Sequence, residues 1–289
     1  MACAKGEKRH KNPRKDISRR KLDPHHAQPD PNPARCGVNL AAPVIPQIRG
    51  WTDVVRTPQA NVGLGATLCF VAGATNAGGF LAVGQYTSHM TGVVSAIADN
   101  LVLGQFALVL AGLVSLLAFL CGAASTAWIV NWCLRHNLRS AYGVPLFLEA
   151  MLLLIFGLFG AGINVYAGLF VPLTVLVLCF IMGLQNAVIT KISNAEIRTT
   201  HVTGLVTDLG IEIGKMLYFN RLPDEKKVLA NRRKLRLHLT LVTSFFIGGL
   251  VGAVGFKTLG YVSTVALSAL LLALVLRPIL DDFRAHASS

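Results

Sequence analysis

The sequence predicts an all-α integral membrane protein with six transmembrane helices. We expect them to form two inverted three-helix repeats, each with an additional amphipathic helix. Three observations lead to this prediction: a high apolar content, six long apolar stretches, and a polar motif that occurs twice. Of the 289 residues, 53% are hydrophobic and only 14% are charged. A soluble globular domain normally carries more charge on its surface.

The first 60 residues differ sharply from the rest of the chain. They contain twelve Lys and Arg residues against five acidic residues, and they have no apolar run long enough for the core of a signal peptide. We expect a disordered basic tail over residues 1–60. Either it is solvated, or it contacts anionic lipid headgroups.

Six long apolar stretches follow the tail. Each is close to the roughly 20 residues that a helix needs to cross a hydrocarbon core of about 30 Å. Within these stretches, prolines occur only near the ends, where they disturb a helix least. They are Pro145, Pro172 and Pro278. The predicted spans are 62–86, 105–133, 144–164, 169–190, 238–256 and 259–280.

The distribution of basic residues predicts the orientation, because Lys and Arg are retained on the cytoplasmic side. With both termini in the cytoplasm, 26 of the 27 Lys and Arg residues lie on that side, and only Lys257 lies outside. We therefore expect both termini to be cytoplasmic. The two repeats are predicted over 61–165 and 166–289, and the second includes a basic cytoplasmic loop over 221–237.

A polar motif is repeated within the chain. The sequence GATNA at 73–77, followed by TSHMTGVVS at 87–95, recurs as GLQNA at 183–187, followed by TTHVTGLVT at 199–207. Each copy begins near the end of a long apolar span, and two more spans follow it. Three spans per repeat invert the second copy relative to the first, an arrangement that is common in secondary transporters.

At these motifs the chain resembles the YoaK-like family of bacterial membrane proteins, a domain of unknown function. The resemblance covers residues 62 to about 280 and is most specific in TSHMTG, GLQNA and TTHVTGLVTDLG. It implies a six-helix protein of the bacterial inner (plasma) membrane, without an established reaction or substrate. The first motif of this family commonly carries an acid where this chain has Asn76.

Each motif ends in a stretch with helical apolar spacing, so we expect two amphipathic helices. Ser88 and Thr200 are predicted N-caps. A helix start beside a membrane presents free N–H groups and a positive dipole end, which suit an anionic or carbonyl-bearing solute. Alternatively, the hydroxyls bond to their own backbone. We expect the two motif starts to converge on one central polar cavity. The predicted substrate-binding residues are Asn76, His89, Thr91, Ser95, Asn186, His201, Thr203 and Thr207.

Two acidic residues are predicted to couple transport to a proton or an ion. Glu149 lies inside the third span, where a charge usually faces a cavity, a partner or a proton path. Asp208 lies in the second motif helix. Interface positions for both remain an alternative.

Small residues in two spans indicate helix packing. Gly248, Gly252 and Gly255 form a small-xxx-small surface in the fifth span, and Gly122 is expected to do the same in the second. We assign them no chemistry.

The favoured function is a transporter or channel for a small solute or ion. The alternatives are an intramembrane enzyme that uses His, Asp or Glu residues and a non-transporting membrane scaffold. No catalytic, nucleotide or metal motif supports an enzyme, so we expect no catalytic residues, cofactor or metal. The expected partners are the lipid bilayer and a small solute or ion, not nucleic acid. A homo-oligomer is left open.

Overall fold

The computed structural model describes residues 51–53, 57–160, 167–193, 197, 199–220 and 227–287. Most of the predicted basic tail and residues 221–226 of the predicted loop lie outside this part. Every regular element in it is helical, so the all-α prediction is confirmed. The helices are α1 (Pro58–Val83), α2 (Met90–Val102), α3 (Phe106–Arg135), α4 (Gly143–Gly160), α5 (Ala167–Ile192), α6 (Val202–Leu217), α7 (Arg232–Leu259) and α8 (Ser263–Ala287), with a 3-10 turn (Gly260–Val262) before α8.

Four stretches of the described residues are long and apolar enough to cross a membrane. The fourth contains both α7 and α8, joined by the 3-10 turn. Two shorter apolar helices, Met90–Val102 and Gly143–Leu158, belong to α2 and α4. The four stretches are Gln59–Val83, Phe106–Arg135, Val171–Ile192 and Arg232–Asp282.

The ends of α1 and α7 show why these helices begin and end where they do. Thr57 is the N-cap of α1, and its hydroxyl accepts a hydrogen bond from the N–H of Ala60 at 3.2 Å. Gly84 ends α1 with a φ of 70°, a left-handed conformation that glycine adopts readily. Asn231 caps α7 by accepting from Arg233 at 3.1 Å and Lys234 at 3.2 Å.

The chain packs onto α1 before the predicted first span begins. Thr52 is fully buried, and the Trp51 ring lies against the backbone of Gly63. These two residues therefore belong to the folded part, although the sequence placed them in the tail. An indole ring covers much apolar surface, so a single tryptophan can hold this segment against the helix.

Contacts between residues of neighbouring helices show the relative directions of the long helices. Helices α1 and α7 run parallel, because Gly65 lies beside Leu241 and Gly78 lies beside Phe256. In the same way α3 runs parallel to α5: Gly122 lies beside Phe180, and further along Asn131 accepts from Lys191 at 3.0 Å.

Two further helix pairs, α1 with α5 and α4 with α8, are antiparallel. Between α1 and α5, the amide of Gln185 donates to the carbonyl of Leu68 at 3.2 Å, and Gly79 lies beside Leu178. Between α4 and α8, Thr264 donates to the carbonyl of Leu153 at 3.0 Å. Ser268 donates to Ala150 at 2.7 Å one turn earlier along α4.

The two parallel pairs cross through the same local contact. Four helices each carry a Phe-x-x-Gly sequence, and in each pair the glycine of one helix lies against the phenylalanine carbonyl of the other. A Cβ atom on any of these glycines would collide with that carbonyl, so the backbones approach as closely as glycine allows. The reciprocal contacts are Gly73 with Phe245, Gly248 with Phe70, Gly122 with Phe180, and Gly183 with Phe119.

The predicted packing role of the small residues is therefore confirmed for three glycines. Gly122 and Gly248 lie at these crossings, and Gly252 lies against the backbone of Ala74. Gly255 instead faces Ser263, which follows the 3-10 turn. The small-residue surface of α7 thus ends one turn earlier than predicted.

The outer surface of the bundle is apolar. On α3, Phe106, Leu110 and Trp128 are at least 63% exposed, and on α7 Phe246 is 64% exposed. Large exposed apolar areas of this kind mark contact with lipid or with another protein.

Candidate functional site

The polar residues of the first motif meet at Asn76 in α1. Its Oδ1 atom accepts two hydrogen bonds from Ser88, one from the backbone N–H at 3.3 Å and one from the hydroxyl at 2.8 Å. Ser88 lies just before α2, so the asparagine holds the chain at the start of the motif helix. The Oδ1 atom of Asn76, a predicted substrate-binding residue, is thus bonded within the chain.

Asn186 in α5 has the corresponding role in the second motif. Its Oδ1 atom accepts from the hydroxyls of Thr199 at 3.2 Å and Thr200 at 2.8 Å. Its amide nitrogen donates to the carbonyl of Met182 at 2.8 Å. Asn186 is buried, so these bonds satisfy polar groups that would otherwise be costly to bury.

The prediction that Ser88 and Thr200 are N-caps is wrong. Helix α2 begins after His89 and α6 after His201, and neither histidine makes a side-chain capping bond. The physical reason is that the hydroxyls of Ser88 and Thr200 donate to the asparagines of the preceding helices and do not accept from their own helix.

The two asparagines lie at different levels of the bundle. Gln185, the neighbour of Asn186, is level with Leu68 on α1 because the two are hydrogen bonded. Asn76 lies eight residues further along α1, which at 1.5 Å per residue is roughly 12 Å. Each motif helix therefore begins on its own side of the α1–α5 crossing.

Buried polar atoms without a partner collect around the motifs. Among the described residues, the hydroxyls of Thr75 and Thr87 and the Oε1 atom of Gln185 are buried and have no hydrogen-bond partner. Thr75 and Gln185 occupy corresponding positions, each directly before the motif asparagine. Unsatisfied buried polar groups cost free energy and often mark places where water or a ligand binds.

Glu149 in α4 is fully buried, and neither of its carboxylate oxygens has a hydrogen-bond partner among the residues that the structure describes. A buried and unpaired charge is very costly. A carboxyl group in this position therefore either holds a proton or receives a cation. Sequence reasoning found this residue, and the structure places it on the inner side of its helix.

The remaining predicted binding residues are exposed at the surface of the motif helices. They are His89, Thr91, Ser95, His201, Thr203 and Thr207. The His89 ring folds back over Gly92, and the hydroxyl of Thr207 donates to the carbonyl of Thr203 at 2.9 Å. Helix α2 packs on α3 and α6 packs on α7. A cavity shared by both motif starts stays a prediction.

Two acidic residues of α6, Glu212 and Asp208, lie against α7, and only Asp208 was predicted from the sequence to have a role. Glu212, which is buried, accepts from the N–H of Asn231 at 2.6 Å and from Lys215 at 2.8 Å. Asp208 is 57% exposed and lies 3.9 Å from Nε2 of the buried His238. Glu212 could have been recognised from the sequence, because it is an acidic residue on the apolar face of an amphipathic helix.

Asp282 in α8 is a second buried acid that sequence reasoning missed. Its Oδ2 atom accepts from both the N–H and the hydroxyl of Ser140, each at 2.7 Å. Because Ser140 precedes α4, this contact joins the end of α8 to the start of α4. The role is structural. No group of three or more His, Cys, Asp or Glu residues within the described ranges could hold a metal ion.

Comparison with known proteins places the chain among membrane proteins. Residues 64–277 match the family described as protein of unknown function (DUF1275). The chain is also 28% identical over 172 residues to the UPF0700 transmembrane protein YoaK of Bacillus subtilis (strain 168). This match covers 58% of the present chain and 73% of YoaK. The resemblance to a YoaK-like family is thereby confirmed. No solved structure matches the chain.

Proposed function

We propose that this chain, which belongs to the DUF1275 family of proteins of unknown function, is a transporter or channel for a small solute or ion. Glu149 would be its proton-carrying or cation-carrying group. The observation that carries the proposal is the carboxyl group of Glu149 in an apolar helix, which is fully buried and has no hydrogen-bond partner in the described part of the chain. Acids in such positions are expensive to maintain and commonly serve ion or proton movement.

We further propose six transmembrane helices in two inverted repeats. The matching Phe-x-x-Gly contacts in the α1–α7 and α3–α5 pairs support this arrangement, because corresponding residues of the two halves make corresponding contacts. The helix directions also support it, since α1 and α5, the first span of each half, are antiparallel. Inverted halves of this kind place a solute site between them.

We place the protein in the plasma membrane, which is the inner membrane of a bacterium with two membranes, with both termini in the cytoplasm. The helix directions bring the start of α7, the end of α3 and the end of α5 to one end of the bundle. Basic residues collect there, including Arg135, Lys191 and Arg232. The other end has Lys257 as its basic residue among those described. Such asymmetry is typical of a cytoplasmic face.

Flux measurements in sealed proteoliposomes test the proposed activity. Vesicles with purified protein are loaded with ions and small metabolites and measured under a pH gradient. We expect a pH-dependent flux that Glu149→Gln abolishes, while insertion and abundance stay near normal. Asp281→Asn, which changes an exposed carboxyl group of α8, is the matched control and should retain the flux. Equal flux with and without Glu149 would refute its coupling role.

The shared solute site is tested by a double-mutant cycle on the motif helices. Thr91→Val and Thr203→Val each remove one hydroxyl with little change in volume. If both hydroxyls contact the same solute, each change alone impairs flux and the combined effect is not additive. Additive effects, or none, would place the solute path elsewhere.

A further inference from the structure

We propose that a cavity at the start of α1 and α7 binds the phosphodiester headgroup of an anionic phospholipid. The cavity has a volume of about 400 Å³ and lies between the first turns of these two parallel helices and the segment that follows α5. The proposal requires that α7 meets a membrane surface. It does not depend on transport.

Three arginines give this cavity its charge. Arg232, Arg233 and Arg236 line it from the first two turns of α7, and the first turn of that helix contains no acidic residue. No carboxylate among the described residues forms an ion pair with any of the three. Cations at a helix start are also repelled by the positive end of the helix dipole. This concentration of charge calls for an anion from outside the chain.

The side chains, and not the helix backbone, would hold that anion. Asn231 already accepts hydrogen bonds from the N–H groups of Arg233 and Lys234. Guanidinium groups bind phosphate oxygens in pairs of parallel hydrogen bonds. Thr240, one turn beyond Arg236, also lines the cavity, but its hydroxyl already donates to the carbonyl of Arg236 at 2.8 Å, so the arginines would hold the anion.

The apolar part of the cavity favours a lipid over a free anion. Val62, Leu237 and the buried Ile197 form its wall beside the arginines. Beyond the cavity, the same helix presents an exposed apolar surface with Leu239 at 56% and Phe246 at 64% exposure. A phospholipid could place its headgroup among the arginines and its acyl chains along this surface. Basic pockets at the cytoplasmic ends of membrane helices recognise anionic headgroups in this way.

Native mass spectrometry of the delipidated full chain, titrated with phosphatidylglycerol or phosphatidylcholine, tests the proposal. The test variant changes Arg232, Arg233 and Arg236 to Gln. The control changes Arg135, Arg139 and Arg277 to Gln, which removes the same charge from exposed positions outside the cavity. We expect the test variant to lose phosphatidylglycerol affinity by roughly tenfold to 100-fold. The control should stay near wild type, and phosphatidylcholine should bind all three weakly.

A second variant separates the cavity from surface charge. Thr240→Trp fills the cavity while keeping all three arginines, and Thr240 is exposed enough to tolerate the change. We expect it to lose the preference for phosphatidylglycerol as well. Normal binding by Thr240→Trp, or an equal loss in the control triple variant, would overturn the proposal. So would competition by inorganic phosphate as strong as that by phosphatidylglycerol, because the site would then recognise a free anion.

Discussion

In the first half of the chain Asn76 holds one residue, Ser88, whereas in the second half Asn186 holds two, Thr199 and Thr200. Position 87 shows the consequence: the hydroxyl of Thr87 is buried and finds no partner among the described residues, while that of Thr199 is bonded. The second motif is therefore the more completely satisfied of the two.

The second motif helix, α6, also has more polar contacts to its neighbour than the first, α2. Helix α2 lies on α3 through apolar contact, with Ile97 against Gly112. Helix α6 is in addition tied to the start of α7 by Glu212. The close helix crossings are alike in both halves, but the polar contacts are not. This difference indicates that the close crossings constrain both halves alike, while the first motif helix has fewer polar contacts among the described residues.

The largest expected effect is on the crossings that the two halves share. Gly122→Ala and Gly248→Ala each place a methyl group against a phenylalanine carbonyl. We expect each to lower the free energy of unfolding by about 1–3 kcal/mol, measured by thermal or denaturant unfolding in detergent. Gly210→Ala in α6 is the control, because no atom of the described segments lies within 4 Å of the added Cβ. If Gly122→Ala or Gly248→Ala lowers the free energy of unfolding no more than this control does, the close crossings do not exist.

The asparagines should respond differently to the same substitution. Asn76→Asp keeps the Oδ1 acceptor that Ser88 uses, and the resemblance implies that relatives commonly carry an acid here. Asn186→Asp loses the donor to the Met182 carbonyl. We expect Asn186→Asp to lower the free energy of unfolding by about 1 kcal/mol more than Asn76→Asp does. Backbone amides at the start of α6 should also exchange hydrogen faster in Asn186→Asp. Equal losses at both positions would show that the two anchors are equivalent.

The smallest expected effect is a pH dependence that belongs to the second half. The Lys215 ammonium, with the N–H of Asn231, lowers the pKa of Glu212 from its usual value of 4.5. Such a carboxyl stabilises the fold above its unfolded pKa, and this contribution is lost as pH falls through the lower folded pKa.

Proteolysis of α6 measures this effect. We expect α6 to be cleaved more readily as pH falls below about 4.5, with α2 unchanged over the same range. Glu212→Gln should raise cleavage at neutral pH and remove the dependence on pH. A wild-type pH response that persists in Glu212→Gln would assign it to other groups.

The helix positions could be predicted from the sequence because apolar length and composition determine them. The differences lie at the ends. Helix α7 starts at Arg232, six residues before its predicted span, because Asn231 caps it. Helix α8 continues through Pro278 to Ala287. Proline removes one backbone hydrogen bond, and a membrane helix can tolerate that loss.

The partners of the helices could not be predicted, because pairing depends on contacts between distant residues. The sequence marks Gly122 and Gly248 as packing positions but does not show that each faces a phenylalanine carbonyl. It identifies Asn76 and Asn186 as important, yet does not show that Ser88 and Thr200 occupy their acceptor atoms. Asp282 was missed for the same reason, since its partner Ser140 is 142 positions away.

The most direct test of the inverted arrangement is the accessibility of single cysteines in intact cells. In a cysteine-free background, cysteine replaces Asn137 or Leu229 at one predicted face and Gln85 or Thr258 at the other. We expect an impermeant maleimide to label positions 85 and 258 in intact cells, and positions 137 and 229 only after permeabilisation. If 137 and 229 lie on opposite sides of the membrane, or 85 and 258 do, the two halves are not inverted copies of each other.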